Sequence, residues 1–409
     1  MVFETSCLDN FLEITSSKRI HMADYVPNGI PFYRSKEVIE RSKGNKISTE
    51  LFISEEQFHR IKLKFGNPQD GDILLTSVGT LGVPYYITND GDFYFKDGNL
   101  TWFRNFSPKL NPKFLYYWLI SPSTQQRLDE ISIGSTQRAL TIASLKALDI
   151  KLPELAQQKQ IADILSSLDD KIALNREMNK TLEAMAQAIF KSWFVNFEPF
   201  KEGEFVESEL GMIPKGWEVS NIGAETTSVG GATPSTTNPE FWEDGKFYWA
   251  TPKDLSGLQE KVLIGTERKI TNSGVNKISS GQLPVGTVLL SSRAPIGYLA
   301  ITTIPVSINQ GFIAMVCNKR LPNTYVLQWV TYKLDDIKQR GSGTTFAEIS
   351  KSTFRPIQVL VPDKESLQKY DEVVRSYYNQ IAINIRETLT LSTLCDTLLP
   401  KLLSGEIKI

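Results

Sequence analysis

Few side chains in this 409-residue chain are spaced for bond-making chemistry. There are two histidines, His21 and His59, and neither adjoins a run of carboxylates or cysteines. Imidazole acid–base catalysis and most zinc sites are therefore poorly supplied. Cys7, Cys317 and Cys395 are far apart and odd in number. They suit neither a disulfide framework nor a zinc knuckle, and they point to a reducing cytoplasm. Glu243-Asp-Gly-Lys246 has the Asp/Glu-x-Lys order of a nuclease metal site but lacks a paired upstream Pro-Asp. Asn111-Pro-Lys-Phe114 and Asn238-Pro-Glu-Phe241 approach the Asn-Pro-Pro-Phe/Tyr motif of amino-group methylation. Each lacks the second Pro, and no Phe-x-Gly-x-Gly loop accompanies them, so both read as starts of a helix or loop. No Gly-x-x-x-x-Gly-Lys-Ser/Thr loop occurs to cradle ATP.

The elements that such residues would need are ordered by a repeat, the first feature to seek in a chain of this length. Gly134-Ser-Thr-Gln-Arg-Ala-Leu-Thr141, ending at Leu152-Pro153, aligns with Gly343-Thr-Thr-Phe-Ala-Glu-Ile-Ser350, ending at Val361-Pro362. Gly71-Asp-Ile-Leu-Leu-Thr-Ser77 matches Gly286-Thr-Val-Leu-Leu-Ser-Ser292, and Phe114-Leu-Tyr-Tyr-Trp118 parallels Tyr325-Val-Leu-Gln-Trp329. A period of half the chain means duplication rather than a solenoid. Within each copy, Asp72-Ile-Leu-Leu-Thr and Thr287-Val-Leu-Leu-Ser predict buried strands, and Pro84-Tyr-Tyr, Tyr94-Phe and Thr101-Trp-Phe predict more. Asn111-Pro-Lys-Phe-Leu-Tyr-Tyr-Trp-Leu predicts a helix with Pro near its start.

The second part of each copy is a long heptad-patterned helix. Ile161, Leu165, Leu168, Ile172, Leu182, Ala186, Ile189 and Trp193 alternate at spacings of three and four, with Asn175 and Asn179 inside the seam. Tyr370, Val374, Tyr377, Ile381, Asn384, Leu391, Cys395, Leu398 and Leu402 repeat that register, so that Asn384 answers Asn175. About forty residues without a break give roughly 60 Å of helix at 1.5 Å per residue. Such a seam needs a partner helix, the other copy being the obvious one, and polar seam residues favour one register at a cost in stability.

The expected fold is therefore α+β: two β-rich domains separated by two long antiparallel coiled-coil helices, with pseudo-two-fold internal duplication. The expected boundaries are 1–153 for the first domain, 154–200 for the central helix and 201–215 for an acidic, helix-breaking linker. The second domain then takes 216–362 and the distal helix 363–409. Two readers at opposite ends of a rigid spacer suit a two-part double-stranded DNA site, whose half-sites lie about 34–36 Å apart or at multiples of that. Because the copies differ in sequence, the two halves of the site should differ too. The net charge of −1 argues against a nonspecific nucleic-acid coat. By segment, residues 1–150 balance and residues 216–362 carry about +3, so DNA contact must rest on local basic positions.

Groove reading needs Arg or Lys for guanine, Asn or Gln for adenine, and Ser or Thr as adaptable donors. Loop-placed candidates are Arg34, Ser35, Lys36, Ser77, Gln137 and Arg138 in the first copy. In the second they are Thr251, Lys253, Ser292, Arg293, Asn309, Gln310 and Thr345. The aromatics Trp193, Phe194 and Phe197 exceed what a two-helix seam needs and are candidates for meeting a partner subunit, or for packing on the neighbouring domain.

Four strings resemble the specificity subunits of type I restriction-modification enzymes: Ala156-Gln-Gln-Lys-Gln-Ile-Ala-Asp-Ile-Leu165, Ile189-Phe-Lys-Ser-Trp-Phe-Val-Asn-Phe197, Ile213-Pro-Lys-Gly-Trp-Glu-Val219 and Leu399-Pro-Lys-Leu-Leu-Ser-Gly-Glu-Ile407. The resemblance spans essentially the whole chain. It implies two target-recognition domains and no catalysis in the subunit itself. It also implies docking of two modification methyltransferase subunits, with restriction subunits completing the nuclease. S-adenosylmethionine, ATP and Mg would then belong to those partners. Two other classes stay open on the residues alone: a self-contained modification or restriction enzyme, and a coiled-coil adaptor that binds only protein. No apolar run is long enough to predict a membrane span.

Overall fold

The computed structural model describes residues 4–48, 50–135, 137–343 and 347–407. The chain divides into two compact units, Met1–Ala173 with Leu389–Ile409, and Leu174–Thr388. Each long helix is therefore shared. Leu155–Phe194 begins in the first unit and ends in the second, and Lys364–Ser404 does the reverse.

In the first unit a four-stranded antiparallel sheet runs in the order Glu13–Thr15, Leu100–Arg104, Ile73–Thr76, Pro84–Tyr86. A second sheet joins Tyr25–Val26, Phe52–Ile53, Ile30–Tyr33 and Tyr94–Phe95, the last pair parallel. The central strand Ile73–Thr76 is buried along its whole length, as its unbroken apolar run requires. The helix Pro112–Ile120 has Asn111 as its cap, its side-chain oxygen accepting the Phe114 N–H at 2.9 Å, and Pro at the first turn. This is the work of the Asn-Pro-Lys-Phe string. Glu4–Cys7 pairs antiparallel with Asp149–Leu152 and closes the domain where the long helix begins.

The second unit repeats this frame. Thr227–Val229, Phe312–Val316, Val288–Ser291 and Leu299–Thr302 take the places of the first sheet, with Val262–Leu263 added in parallel at the edge. Phe247–Ala250 lies between Arg268–Ile270 and Ser307–Ile308 as Ile30–Tyr33 lies between Phe52–Ile53 and Tyr94–Phe95. Glu218–Asn221 pairs with Gln358–Val361 as the closing ribbon. The Asn238 string caps a single 3-10 turn, Pro239–Phe241. The segment expected as an irregular linker carries a two-stranded hairpin, Phe205–Ser208 with Gly211–Pro214.

Within each unit the two long helices run antiparallel. In the first, Ile161 and Leu165 share a buried cluster with Leu399 and Leu402. In the second, Phe190 and Phe194 meet Tyr370, while Asn384 donates to Asn179 Oδ1 at 2.8 Å and Asn175 donates to Glu387 at 2.8 Å. Both seam asparagines of the first helix are buried. Tyr378 and Leu399, rather than the neighbouring Tyr377 and Leu398, are the more buried pair on the second helix.

Candidate nucleic-acid interface

The same device recurs at the end of the central strand in both units. Ser77 N–H donates to the Asn99 carbonyl and its own carbonyl accepts the Leu140 N–H, at 2.8 and 2.9 Å. Ser292 does likewise with Gly311 and Ile349, at 2.8 and 3.0 Å. These bonds tie a hairpin to the end of the central strand, its two arms joined by the Ile133–Ala139 bridge in one unit and the Ser342–Glu348 bridge in the other. Gly134 and Gly343 open the two hairpins at φ of +97° and +113°. A side chain at Gly134 would also strike the Gln137 carbonyl, at 2.5 Å from its Cβ. The glycine that begins each recurring string is thus set by backbone geometry.

The structure distributes the proposed base readers unevenly. Ser77 and Ser292 are buried, and the Ser77 hydroxyl is bonded to Thr101 at 2.6 Å, which makes both anchors of the hairpins rather than groups that reach outward. Gln137 is exposed on its hairpin. Arg138 is partly held back, its guanidinium bonded to Ser132 at 2.8 Å and paired with Asp129 at 3.3 Å. Arg293 lies at the hairpin of the second unit, 4.0 Å from Glu348 and a little over one-third exposed. Thr345 lies outside the described residues.

A second cluster forms where a short helix follows the second sheet. Arg34 caps Ser35–Ser42 and grips the buried Glu37 carboxylate at 2.8 Å. Thr251 caps Pro252–Ser256 through Asp254 at 2.8 Å. The two capping boxes are repeat equivalents, and they place Lys36 and Lys253 at matching exposed positions. Lys253 is paired with Glu267 at 2.8 Å, both groups largely exposed, a pair of little energetic weight. Ser35 lies with its hydroxyl 3.5 Å from the Asn99 carbonyl. In the second unit Asn309 turns its side-chain oxygen onto Gly311 N–H, and exposed Gln310 accepts from Thr233 at 2.6 Å. Thr233 was missed in the sequence. Its loop, Gly230-Gly-Ala-Thr-Pro-Ser-Thr-Thr-Asn238, is signalled only by its small polar composition.

Phe194 is 6% exposed, and its ring is spent on Trp217, Tyr325 and Tyr370. Trp193 packs on Phe200 and Tyr370, and Phe197 on Phe205 and Trp217. These aromatics seal the joint between the first long helix and the second globular domain. The apolar residues that remain outward lie elsewhere on that helix: Leu174, Met178 and Met185, 54%, 37% and 41% exposed. With Thr181 and Ala188 they form a second stripe at heptad spacing, beside a shallow groove lined by Ala184, Met185 and Ala188. Ile383 and Leu394, at the same register on the other helix, are 54% and 41% exposed. The repeat offset would have revealed this second stripe, had it been applied beyond the main seam.

Among the described residues, no group of three or more His, Cys, Asp and Glu side chains is arranged to hold a metal, and no helix is long and apolar enough to cross a membrane.

A family model described as the type I restriction modification DNA specificity domain matches residues 2–184 and again 214–391. The chain is 28% identical to the type I restriction enzyme MjaIX specificity subunit of Methanocaldococcus jannaschii, over 96% of this chain and 90% of that one. It is 27% identical to the HindI specificity subunit of Haemophilus influenzae, over 82% and 86% of the two chains. The fold is similar to the crystal structure of a type I restriction-modification S subunit from M. genitalium, with a TM-score of 0.63, 18% identity, and 98% and 96% of the two chains covered. With two matched segments that coincide with the two copies of the repeat, the chain belongs to the family of type I restriction-modification DNA specificity subunits, a non-catalytic family.

Proposed function

We propose that this subunit reads a two-part, asymmetric site on double-stranded DNA, one half with each globular domain. The observation that carries this reading is the duplicated hairpin on the central strand. One frame presents a loop in each half, with different side chains at Gln137 and Arg138 than at the corresponding positions after Gly343. Base contacts give specificity and phosphate contacts give position, so a shared frame with divergent loops suits two different half-sites. Arg34, Lys36, Gln137, Arg138, Thr251, Lys253, Arg293, Asn309 and Gln310 remain the proposed contacts. Ser77 and Ser292 serve as hairpin anchors.

The outward stripe at Leu174, Met178 and Met185 is the proposed seat for one modification methyltransferase subunit, and the duplication suggests a second such subunit. An apolar helix of the partner would cover the stripe at heptad spacing. Restriction subunits would complete the assembly, and S-adenosylmethionine, ATP and Mg would act in those partners. The cytoplasm is the compartment where such an assembly would work.

The test is to express the chain with its modification subunits and map methylated bases by sequencing. Two dissimilar motifs at a fixed spacing are expected. Methylation at a single motif, or at none above background, would overturn the reading. Met185→Glu is expected to block partner co-purification while leaving the melting temperature of the isolated chain nearly unchanged.

A further inference from the structure

In the first globular domain the second sheet ends at Ile53, paired with Ile30, and the chain then turns at Ser54 into the helix Glu55–Phe65. In the second domain Ile270, paired with Phe247, leads through Thr271 into Asn272–Val275. Ser54 and Thr271 are equivalent caps: the side-chain oxygen of Ser54 accepts from Gln57 N–H at 3.2 Å, that of Thr271 from Gly274 N–H at 3.1 Å. The helices that follow are not equivalent in size, 11 residues against 4. An element enlarged on an otherwise shared frame is where two readers of different sequences can diverge.

The longer helix is anchored mainly by Phe58, fully buried, with Ile61 half-buried beside it. At 100° per residue the positions opposite Phe58 are Glu56, His59, Arg60, Leu63 and Lys64, and all five are exposed. Leu63 is 88% exposed. A single exposed leucine is ordinary on a protein surface; what sets this one apart is its place on the outward face between Arg60 and Lys64. Lys62, on the flank, pairs with Asp92 at 3.0 Å and lies over Phe58. Among the described residues Arg60 and Lys64 enter no salt bridge. Lys18, exposed, sits 4.5 Å over the Phe65 ring and adds a further cation beside the helix end. The C-terminal turns are fixed by Arg104, which donates to the Phe65 carbonyl at 2.8 Å.

We infer that the Glu55–Phe65 helix is the major-groove element of the first recognition domain, a role that rests on the proposed reading of DNA by this chain. The basic half of the exposed face complements phosphate, and a single helix fits a groove about 12 Å wide. Arg60 and Lys64 are the guanine- or phosphate-directed cations, and Leu63 is the apolar contact for a thymine methyl. Glu56, at the N-terminal end of the same face, is placed to accept from a cytosine amino group. Among the described residues the counterpart in the second domain is the four-residue Asn272–Val275, so its half-site is read by its loops.

The experiment uses the full-length subunit assembled with its modification subunits and a synthetic duplex carrying the site that the wild-type assembly methylates. Arg60→Ala/Lys64→Ala is expected to weaken binding roughly 5- to 150-fold, to lower the dependence of log K on log salt by about one or two ions, and to relax the methylated motif in one half only. Leu63→Ala is expected to relax one position of that same half with the salt dependence unchanged. Both variants alter exposed side chains, and matched melting curves establish that they fold. Unchanged affinity, salt dependence and motif overturn the inference, and so does relaxation of both halves alike. Loss of the modification subunits from the complex, with DNA affinity retained, would assign the helix to a protein partner and also overturn it. A wild-type assembly that methylates no two-part site removes the underlying reading first, an outcome visible before any variant is made.

Discussion

The two units close their globular domains with the same strand pair, yet they begin their long helices with different chemistry. In the second unit Asp363 accepts the Ser366 N–H at 2.9 Å, the Ser366 hydroxyl at 2.7 Å and the Trp217 indole N–H at 2.9 Å, while Leu367 lies in the apolar cluster. At the same joint of the first unit, Gln158 replaces Leu367. Its side-chain oxygen accepts from Asn111 N–H, and its amide donates to the Lys109 and Pro153 carbonyls, each at 2.9 Å. Gln158 is 1% exposed and Leu367 is 6% exposed. One joint is a capped helix over an apolar plug, the other a buried amide with its bonds satisfied. Duplication preserved the strand register and the helix offset, and the joint drifted between a bonded carboxylate beside an apolar plug and a bonded, buried amide.

The largest test of that comparison concerns the far end of the first helix. Phe194→Ala removes a buried ring from the aromatic cluster of the second unit and is expected to cost about 3–5 kcal/mol. The equivalent residue on the second helix, Leu403, is only half-buried in the first unit, so Leu403→Ala is expected to cost much less. Denaturant or thermal unfolding of the two variants decides it. Equal losses would mean that the two helix ends are alike after all.

Next in size is Gln158→Leu, which gives the first joint the residue used by the second. Because the Pro153 carbonyl would lose this partner while buried, and the Lys109 carbonyl and Asn111 N–H would lose it while partly buried, a loss of about 1–3 kcal/mol is expected. A neutral result would show that the joints are interchangeable and that the amide is incidental.

Much of this frame was legible in the sequence because duplication doubles each weak signal. The buried runs after Gly71 and Gly286, the helix at Pro112 and the two long helices with their buried asparagines appear where the pattern puts them, while on the second helix the seam shifts by one residue at Tyr378 and Leu399. What escaped depends on which way a side chain faces. Ser77 and Ser292 look like loop-end donors in one dimension, but each directly follows a buried strand, Ile73–Thr76 or Val288–Ser291, and is itself buried. For Trp193, Phe194 and Phe197 the sequence left two readings open, a partner subunit or the neighbouring domain, because their partners, Trp217, Tyr325 and Tyr370, are distant in sequence. The Glu55–Phe65 helix drew no notice because an exposed leucine on a charged helix has no period that marks it as a contact.

Two carboxylates bonded to tryptophan indoles carry the comparison into pH. Burial raises Asp363, but the bonds from Ser366 and Trp217 outweigh it and hold its carboxyl below the usual range. Its contribution is present above the unfolded carboxylate pKa near 4 and is lost as pH falls through the depressed value. Asp72, bonded to the Trp102 indole at 2.8 Å, is instead pushed up by burial against the weaker pull of those bonds. Its ionised form costs stability above the raised value, and acidification relieves that cost. Asp363→Ala should therefore lose about 1 kcal/mol at neutral pH, as for other helix caps, with the deficit shrinking below pH 4. Asp72→Asn should raise the melting temperature slightly at neutral pH, with the gain fading as pH falls. Melting curves between pH 3 and 7 test both signs, and a common direction for the two variants would break the contrast.

The smallest expected effect lies in the thiols, which differ in the cause of their inertness. Cys317 in the second unit is pushed up to about 12 by burial, and Cys395 in the first to about 11 by burial together with Asp169 and Asp396. Cys7 is raised by its bond to the Asp149 carboxylate and by partial burial. A free cysteine near 8.5 is partly thiolate at pH 8, whereas Cys317 and Cys395 are almost wholly protonated there and Cys7 is shifted in the same direction. Alkylation of the native chain at pH 8 should be slow at all three sites, with Cys317 slowest because protonation and burial act together. Raising the pH to 10 should accelerate Cys395 more than Cys317. Asp149→Asn should speed modification of Cys7 alone, since the carboxylate supplies both the accepted bond and the repelling charge. Modification of native Cys317 at the rate of a free thiol would show that its cover opens readily, and the second unit would then be the less firmly packed of the two.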